Sequence, residues 1–346
     1  MKTKMSIPQR IVAYVKGNPI VVMMALVSIV VGFTIPNFFS LNNFNVLMGN
    51  TTIRFLIALG VSGCLITKGT DLSAGRQAAL AATLTGVMVQ RADYASRMFS
   101  WMPEMNMWVV LLIVLAVGAL LGIVTGAIVA YLKVPPFIAT LGSQMISMGI
   151  GSIITKTQSQ TWPTASAEVG AWFKKVFIRT DLFGIKSFPV GALWLIAFFV
   201  IASLILHKSK FGRYLYAIGS NEEAARLSGI NTANWQIGAY VLSGFFVGMA
   251  ALFYAAVYST ITPGTGAGQE MHGITGVIVG GTSMAGGSGT MVGTLIGVFI
   301  MSVLKNGLPA CGLQAPWQTF FTGLVVIGAV LLDIQRTKAA AKVKKA

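Results

Sequence analysis

The 346-residue chain holds few side chains that could catalyse a reaction or bind a metal ion. It has nine Asp and Glu residues, two His and two Cys. Cys64 and Cys311 lie in apolar surroundings in opposite halves of the chain, which argues against a disulfide or a metal site. A P-loop for nucleotide phosphates needs a Gly-Lys pair, and no such pair occurs. We therefore expect no enzymatic activity, no bound cofactor and no metal site.

The overall composition is typical of an integral membrane protein. Hydrophobic residues make up 55% of the chain and charged residues 10%, whereas soluble chains carry about 25% charged residues. The formal net charge of +16 would suit nucleic-acid binding, but the basic residues are placed mainly at the termini and between apolar stretches. That placement indicates membrane orientation, so we expect no nucleic-acid partner.

Stretches without ionisable residues predict the membrane helices, since about 20 largely apolar residues cross the hydrocarbon core. Two short stretches, 55–67 and 77–90, flank the polar run 68–76 and could cross only if their polar ends are buried against other helices. With these two included, and with 271–304 split at its glycines, we predict an all-α membrane protein with about ten transmembrane helices. The longer stretches are 17–53, 105–132, 134–155, 187–207, 227–269, 271–304 and 306–332.

The Lys and Arg residues predict which helix ends face the cytoplasm. Both termini are basic, and basic segments stay on the cytoplasmic side. The first apolar run, 19–35, has no small-residue cleavage site, so we expect a retained helix. We treat 1–346 as one transmembrane domain. Its expected cytoplasmic segments are 1–17, 207–235 and 335–346, and its expected external loop is 156–187.

A short helix is predicted inside the cytoplasmic segment 207–235. Ser220 can cap its start, and Glu223, three residues later, can complete a capping box. Gly229 is placed to end the helix in the left-handed conformation. Because so short a helix is marginal in water, it needs a surface to pack against. That surface is either the chain's own membrane helices or a groove on a cytoplasmic partner.

Two ionisable residues lie next to predicted membrane segments. Asp71 can face the cytoplasm and cap a helix that begins near Leu72, or it can lie at membrane depth on the path of a solute. The side chain of Arg54 is expected to reach the outer membrane interface rather than to pair with Glu270.

The region 264–289 is rich in glycine. Such a region predicts either close helix packing or a broken helix that lines a solute path. The predicted spans hold no cluster of charged residues for proton or sodium coupling, which argues against an ion-coupled transporter. A neutral interior rich in Gly, Ser and Thr suits an uncharged polyhydroxy solute.

The chain resembles the sugar-importing permeases of bacterial ATP-binding cassette (ABC) transporters at four motifs, which occur in the family's order. The motifs are GTDLSAGRQ (69–77), VPPFIATLG (134–142), AIGSNEEAARLSGIN (217–231) and GVIVGGTSMAGGSGTMVGTLIGV (276–298). The resemblance covers nearly the whole chain. The Arg-Gln pair of the first motif and IRFLIALGV (53–61) look closest to galactose and methylgalactoside permeases. Ribose and xylose permeases are the alternatives, and an ion-coupled transporter is a more distant one.

This resemblance implies a bacterial inner-membrane protein that works as a pair of permeases. Two ATPase domains would dock on the cytoplasmic side, and an external sugar-binding protein would deliver a monosaccharide. The short helix would then be a coupling helix seated in a cleft of the ATPase. The residues assigned to it are Gly219, Ser220, Asn221, Glu222, Glu223, Ala224, Ala225, Leu227, Ser228, Gly229 and Ile230.

Two further groups of residues are candidates for contact with the solute or with the external partner. The candidates for the family turn or the solute path are Asp71, Ser73, Gly75, Arg76 and Gln77. The candidates for docking of the binding protein are Gln269, Glu270, His272, Lys174 and Lys175. The two lysines would meet acidic groups on the binding protein.

Overall fold

The computed structural model is almost entirely helical. It describes residues 22, 26, 29–30, 32–33, 38 and 40–343, with gaps at 96, 162–174, 179, 183–184, 259, 263 and 311. In chain order its helices are α1 (Leu41–Ile66), α2 (Ala74–Met88), α3 (Met107–Ala130), α4 (Pro136–Thr155), α5 (Val190–Ser203, continued as a π-helix over Leu204–Lys208), α6 (Lys210–Ser220), α7 (Glu222–Leu227), α8 (Thr232–Val257), α9 (Gln269–Val279), α10 (Met291–Ala310) and α11 (Ala315–Val343).

Seven of the described helices are long and apolar enough to cross a membrane: α1, α3, α4, α5, α8, α10 and α11. Their mean hydropathy varies with their position, from 2.9 for α3 to 1.4 for α1. The whole apolar window of α1 is buried by other helices, whereas most of α3 is not. Because α1 has no face toward lipid, it can carry polar side chains that an outer helix could not.

The prediction of about ten transmembrane helices agrees with the structure in some segments and not in others. Besides the seven spans, the short helices α2 and α9 overlap two further predicted segments, while the predicted first helix, 19–35, lies almost wholly outside the described residues. The proposal of a short segment over 55–67 was wrong, because α1 begins at Leu41 and runs through Arg54. Arg54 is buried there, so the expectation that it reaches the outer interface was wrong too.

Close backbone contacts hold α8 against α3. A Cβ on Gly118 would lie 2.2 Å from the Gly244 carbonyl oxygen, and a Cβ on Gly244 would lie 2.0 Å from the Gly118 carbonyl oxygen. Such contact is possible only without side chains. Around it, Phe246 and Phe253 are fully buried in the hydrophobic core. These contacts fix the position of the middle of α8 along α3.

One end of the helical body carries most of the described basic loops. Lys133 Nζ, in the α3–α4 turn, lies 3.8 Å from Glu222 Oε1 on α7. The Gly287 N–H, before α10, donates to the Ile66 carbonyl at 2.9 Å. We call this end the basic end. It carries Lys68, Lys133, Lys208, Lys210, Arg213 and Arg226.

Short strands tie the loops at the opposite end. β1 (Gln160–Thr161) pairs antiparallel with β4 (Thr260–Ile261), and β2 (Thr180–Leu182) pairs with β3 (Ile185–Phe188). Gln90 Nε2 donates to the Thr161 carbonyl at 2.8 Å, which links the loop after α2 to the first pair. The fold is therefore all-α apart from these two small ribbons.

Candidate functional site

A buried carboxylate holds the start of α2 against the middle of α8. Asp71 is 2% exposed. Its Oδ1 accepts hydrogen bonds from the Ser73 N–H at 3.0 Å and from the Ser73 hydroxyl at 2.5 Å, and its Oδ2 accepts from the Ser243 hydroxyl at 2.6 Å. Gln77 Nε2, one turn into α2, donates to the Ser73 hydroxyl oxygen at 2.9 Å. Asp71 therefore fixes Ser73, the residue before α2, and ties the start of this helix to α8.

This carboxylate lies deep inside the helical body. Ser243 is about 16 Å along α8 from its first residue, Thr232, at the basic end. The expectation that Asp71 faces the cytoplasm and caps a helix from near Leu72 was therefore wrong, because α2 begins at Ala74 with Ser73 as its N-cap residue and has no side-chain cap. The depth arises because residues 67–73 turn back from the end of α1 into the interior, where α2 begins.

The start of α9 meets the start of α2 at the same depth. Gly268 caps α9, and Glu270 Oε1 accepts from its N–H at 3.2 Å. A Cβ on Gly75 would lie 2.0 Å from Glu270 Oε2 and 2.5 Å from the Gly266 carbonyl oxygen, and because the backbone oxygen cannot turn away, only glycine fits this contact. Two helix N-termini, each the positive end of a helix dipole, thus meet beside buried carboxylates. All the candidates for the family turn lie at this junction.

Hydroxyl groups line an open cleft beside the junction. Arg76, in the first turn of α2, donates from Nη1 to the Thr265 carbonyl at 3.0 Å. The cleft is narrow, about 20 Å³, and lies between α2, α4 and the segment that precedes α9. Such groups can exchange hydrogen bonds with a polyhydroxy solute without a tight binding pocket. The polar residues of its lining are Arg76, Thr83, Ser147, Ser152, Thr155, Thr262 and Thr265.

The predicted short helix forms as α7, with a cap that differs from the predicted one. Asn221 caps it, because its Oδ1 accepts from the Ala224 N–H at 3.1 Å. Ser220 is the last residue of α6, so the predicted serine cap and its capping box were wrong. Glu223 instead lies 2.7 Å from Arg226 and raises the pKa of that guanidinium. Ser and Asn are about equally good caps, so composition could not separate them.

The end of α7 is the predicted one. Gly229 has a φ of +82°. Its N–H donates to the Arg226 carbonyl at 3.0 Å, and the Ile230 N–H donates to the Ala225 carbonyl at 3.1 Å. These two bonds form a Schellman motif. Ala225 is buried while Leu227 is 80% exposed, so α7 packs on its own protein with one face and presents an apolar side chain on another.

Helix α6 connects α7 to the end of α1. A Cβ on Gly219 would lie 1.7 Å from the Ile66 carbonyl oxygen and 2.5 Å from the Gly287 nitrogen. The Tyr216 hydroxyl donates to the Gly289 carbonyl at 2.9 Å. The end of α6, the end of α1 and the loop before α10 therefore form one packed unit.

A second cleft, of about 230 Å³, opens at the foot of α7. Lys68, Lys133 and Glu222 stand on its walls. Tyr240 also lines it, and the Tyr240 hydroxyl has no hydrogen-bond partner among the residues that the structure describes. A Cβ on Gly69 would lie 2.7 Å from that hydroxyl. The cleft thus leads from the basic end toward the segment that carries Asp71.

The candidates for docking of an external protein are not gathered at an external surface. Glu270 and His272 are 5% and 8% exposed, because α9 begins inside the body, so their assignment as docking residues was wrong. Gln269 is half-buried beside them. Lys175 is exposed at the end opposite the basic end, and Lys174 lies outside the described residues.

The glycine-rich region combines close packing with an interrupted helix. A Cβ on Gly276 would lie 2.6 Å from Val298 Cγ2, and one on Gly280 would lie 2.2 Å from the Gly293 carbonyl oxygen. Helix α9 covers 11 residues of the region, too few to cross a membrane. Both predicted features are present, and the lining of a solute path by α9 stays a prediction.

Three residues of these sites were not predicted. Ser243 holds Asp71, Lys133 pairs with α7, and Tyr240 lines the cleft below it. Tyr240, Ser243 and Gly244 share one face of α8 by their helical spacing. A helix face of polar and small residues within an apolar stretch indicates buried contacts. This signal could have identified Tyr240 and Ser243, but not Lys133.

Comparison with known proteins identifies relatives along nearly the whole chain. A family model described as the permease component of the branched-chain amino acid transport system matches residues 42–330. The galactose/methyl galactoside import permease MglC of Escherichia coli K12 is 37% identical over 319 residues, 92% of this chain and 94% of that protein. The ribose import permease RbsC of E. coli K12 is 35% identical over 323 residues, 91% and 92% of the two chains. No solved structure matches the chain.

Proposed function

Because the chain belongs to the permease-component family of branched-chain amino acid transport systems, we propose that it is the membrane-embedded sugar permease of a bacterial ABC importer. The observation that carries this function is its similarity, over almost its full length, to permeases that import sugars. The chain is a multi-pass membrane protein of the bacterial inner membrane. It has no P-loop, so ATP hydrolysis belongs to a separate ATPase subunit.

We assign a monosaccharide of the galactose or methylgalactoside type as the solute. The motif residues at 76–77 and 53–61 support this choice, as do the galactose permeases among the relatives. The serine and threonine hydroxyls of the cleft beside α2 fit a solute that passes rather than stays. Ribose, which other relatives import, is the alternative.

Uptake into membrane vesicles tests this function. The vesicles contain the permease and its ATPase, and labelled galactose is offered with the external binding protein. We expect uptake that requires ATP inside and survives a protonophore. Uptake that collapses with the ion gradient would replace ABC import by secondary transport. Uptake of labelled ribose but not of labelled galactose, each offered with its own binding protein, would replace the sugar assignment and leave the transport class intact.

The coupling role is proposed for α7. Its support is a six-residue helix capped at both ends, which moves as a rigid body. The exposed Leu227 provides an apolar contact for the ATPase, and the Lys133–Glu222 pair holds α7 near the α3–α4 turn. A helix that inserts an apolar side chain into a groove is a common mode of protein recognition.

Two routes of chain and contacts connect α7 to Asp71. In one direction, α6 packs through Gly219 on Ile66, after which residues 67–70 lead directly to Asp71. In the other, α8 follows α7 and carries Ser243, which donates to Asp71. We infer that displacement of α7 by the ATPase changes the alignment of α2 with α8 at this hydrogen bond. A shift there would open or close the hydroxyl-lined cleft beside α2.

The orientation and assembly follow the same proposal. The basic end faces the cytoplasm, with both termini, 207–235 and 335–346 on that side, and 156–187 faces outward with Lys175 available to a binding protein. A second copy of the permease completes the transport unit. A Leu227→Cys variant tests the orientation, because an impermeant thiol reagent should label it only from the cytoplasmic side. Labelling from the outside would reverse the topology.

A further inference from the structure

Arg54 carries a charge in the middle of the buried helix α1. It is 4% exposed, and its Nη1 has no hydrogen-bond partner among the described residues. A guanidinium keeps its proton in proteins. Burying such a charge without a counter-charge is strongly unfavourable. The position therefore calls for a negative partner.

Polar groups from two neighbouring helices face the same region. Ser302, Lys305 and Asn306 stand at i, i+3 and i+4 on α10 and so share one face. Ser302 Oγ and Asn306 Nδ2 are buried without partners in the described part of the chain. His272 of α9 has a buried, unpartnered Nδ1. Buried polar atoms in native proteins are nearly always hydrogen-bonded, so this cluster points to a bound species.

Helix packing places these residues at one level. A Cβ on Gly276 would lie 2.6 Å from Val298 Cγ2, which sets the register of α9 against α10. One turn farther from the basic end, His272 on α9 comes opposite Ser302 on α10. His272 also lies within electrostatic range of Arg54. The close helix contact suits an ion better than a hexose.

The cluster is cationic. Lys305 lies within electrostatic range of Arg54, and the ion pairs among the described residues include neither of the two. Glu270 is two residues from His272, which places it on the opposite face of α9, where it contacts α2. Glu168 is the one acidic residue of the chain that lies outside the described residues.

We propose that Arg54, His272, Lys305 and Asn306 bind a small monovalent anion, with chloride as the abundant example. The site offers mainly donors and a positive charge, whereas a sugar hydroxyl also needs acceptors. A water molecule would satisfy the donors but would leave the charge uncompensated. Lys305 also lines a narrow cleft of about 10 Å³ between α10 and α11. This site is independent of the transported sugar.

Thermal unfolding of the full-length permease in lipid nanodiscs tests the proposal. Tm is followed while chloride replaces gluconate at constant sodium concentration. For the wild type we expect a saturable rise of about 2–5 °C, with bromide able to substitute for chloride. Arg54→Gln should abolish the chloride response and should unfold in gluconate no earlier than the wild type, since it removes an uncompensated charge. Arg54→Lys, which keeps the charge, should retain the response.

Matched variants separate the alternatives. Lys210→Gln removes an exposed charge at the basic end and should leave the response unchanged. A wild-type Tm that is the same in chloride and gluconate overturns the proposal. If the Glu168 carboxylate is the counter-ion of Arg54, the Tm of the wild type will not depend on chloride and the Tm of Glu168→Gln will. That result also overturns the proposal. A galactose-dependent rise that needs Arg54 would assign the cluster to the sugar instead. If Arg54→Gln fails to fold, the wild type is crystallised with bromide. An anomalous diffraction peak of bromide beside Arg54 supports the proposal, and its absence overturns it.

Discussion

Replacement of Gly229 by Ala tests whether the shape of α7 governs docking of the ATPase. Gly229 has a φ of +82°, and a Cβ there would meet nothing within 4 Å. The cost is therefore confined to the backbone, where a left-handed L-residue loses roughly 1–2 kcal/mol. Because α7 has six residues, it depends on its caps to stay helical. We expect the ratio of formed to unformed α7 to fall about 5- to 30-fold.

The assay is titration of the ATPase subunit onto the permease in nanodiscs, with hydrogen exchange of the Ile230 N–H measured in parallel. Exchange should accelerate, since this N–H donates to Ala225 in the Schellman motif, and ATPase affinity should fall by up to the same factor. Gly149→Ala is the control: its Cβ also meets nothing within 4 Å, but it lies in a regular helix where Ala is favoured. Faster exchange with unchanged affinity would refute the coupling role. If hydrogen exchange of the Ile230 N–H is the same in Gly229→Ala as in the wild type, the predicted cost of a left-handed alanine is refuted.

Three further substitutions probe the junction and the basic end. Ser243→Ala should cost about 1.5–3 kcal/mol, because Oδ2 of the buried Asp71 carboxylate loses its donor while Oδ1 keeps its two bonds from Ser73; thermal unfolding measures this, and an unchanged Tm contradicts it. Gly75→Ala should cost about 1–3 kcal/mol and reduce uptake, because its Cβ would overlap the Glu270 carboxylate; wild-type uptake and Tm would mean that the two helix starts can separate freely. Lys133→Gln should lower the free energy of unfolding by less than about 1 kcal/mol, since the Lys133–Glu222 ion pair is largely exposed. If the same variant binds the ATPase much more weakly, the α3–α4 turn is part of the docking surface.

Features that depend on local chemistry could be predicted from the sequence. The left-handed end of α7 needed a glycine directly after a short helical run, and Gly229 was the residue available. The long apolar stretches predicted the outer helices because each must satisfy its own backbone in lipid. Asn221 displaced Ser220 as the cap because α6 extends through Ser220, and that extension depends on packing against α1 rather than on the cap itself.

Features that depend on contacts between distant segments could not be predicted. The sequence left Asp71 either at the cytoplasmic surface or at membrane depth and placed Glu270 among the external docking candidates, yet both lie inside the body where α2 and α9 begin. The determinant is the contact of Gly75 with Glu270, across almost 200 positions of the chain. The residues around a glycine in the sequence do not indicate which distant residue it will contact. The low hydropathy of α1 was a usable signal, because a membrane helix with Arg54 in its middle must be shielded from lipid by other helices.

The central position of α1 also determines which element can move when α7 is displaced. All of the apolar window of α1 is buried against neighbouring helices, so a push delivered through Gly219 at Ile66 meets a helix that is held on every side. The next segment, 67–73, contains Gly69 and has no regular structure. Motion is therefore taken up there and passed to Asp71, where α2 is tethered to α8 by a single side-chain hydrogen bond. On this argument, cross-linking α1 to α8 should leave transport intact, whereas cross-linking α2 to α8 should stop it.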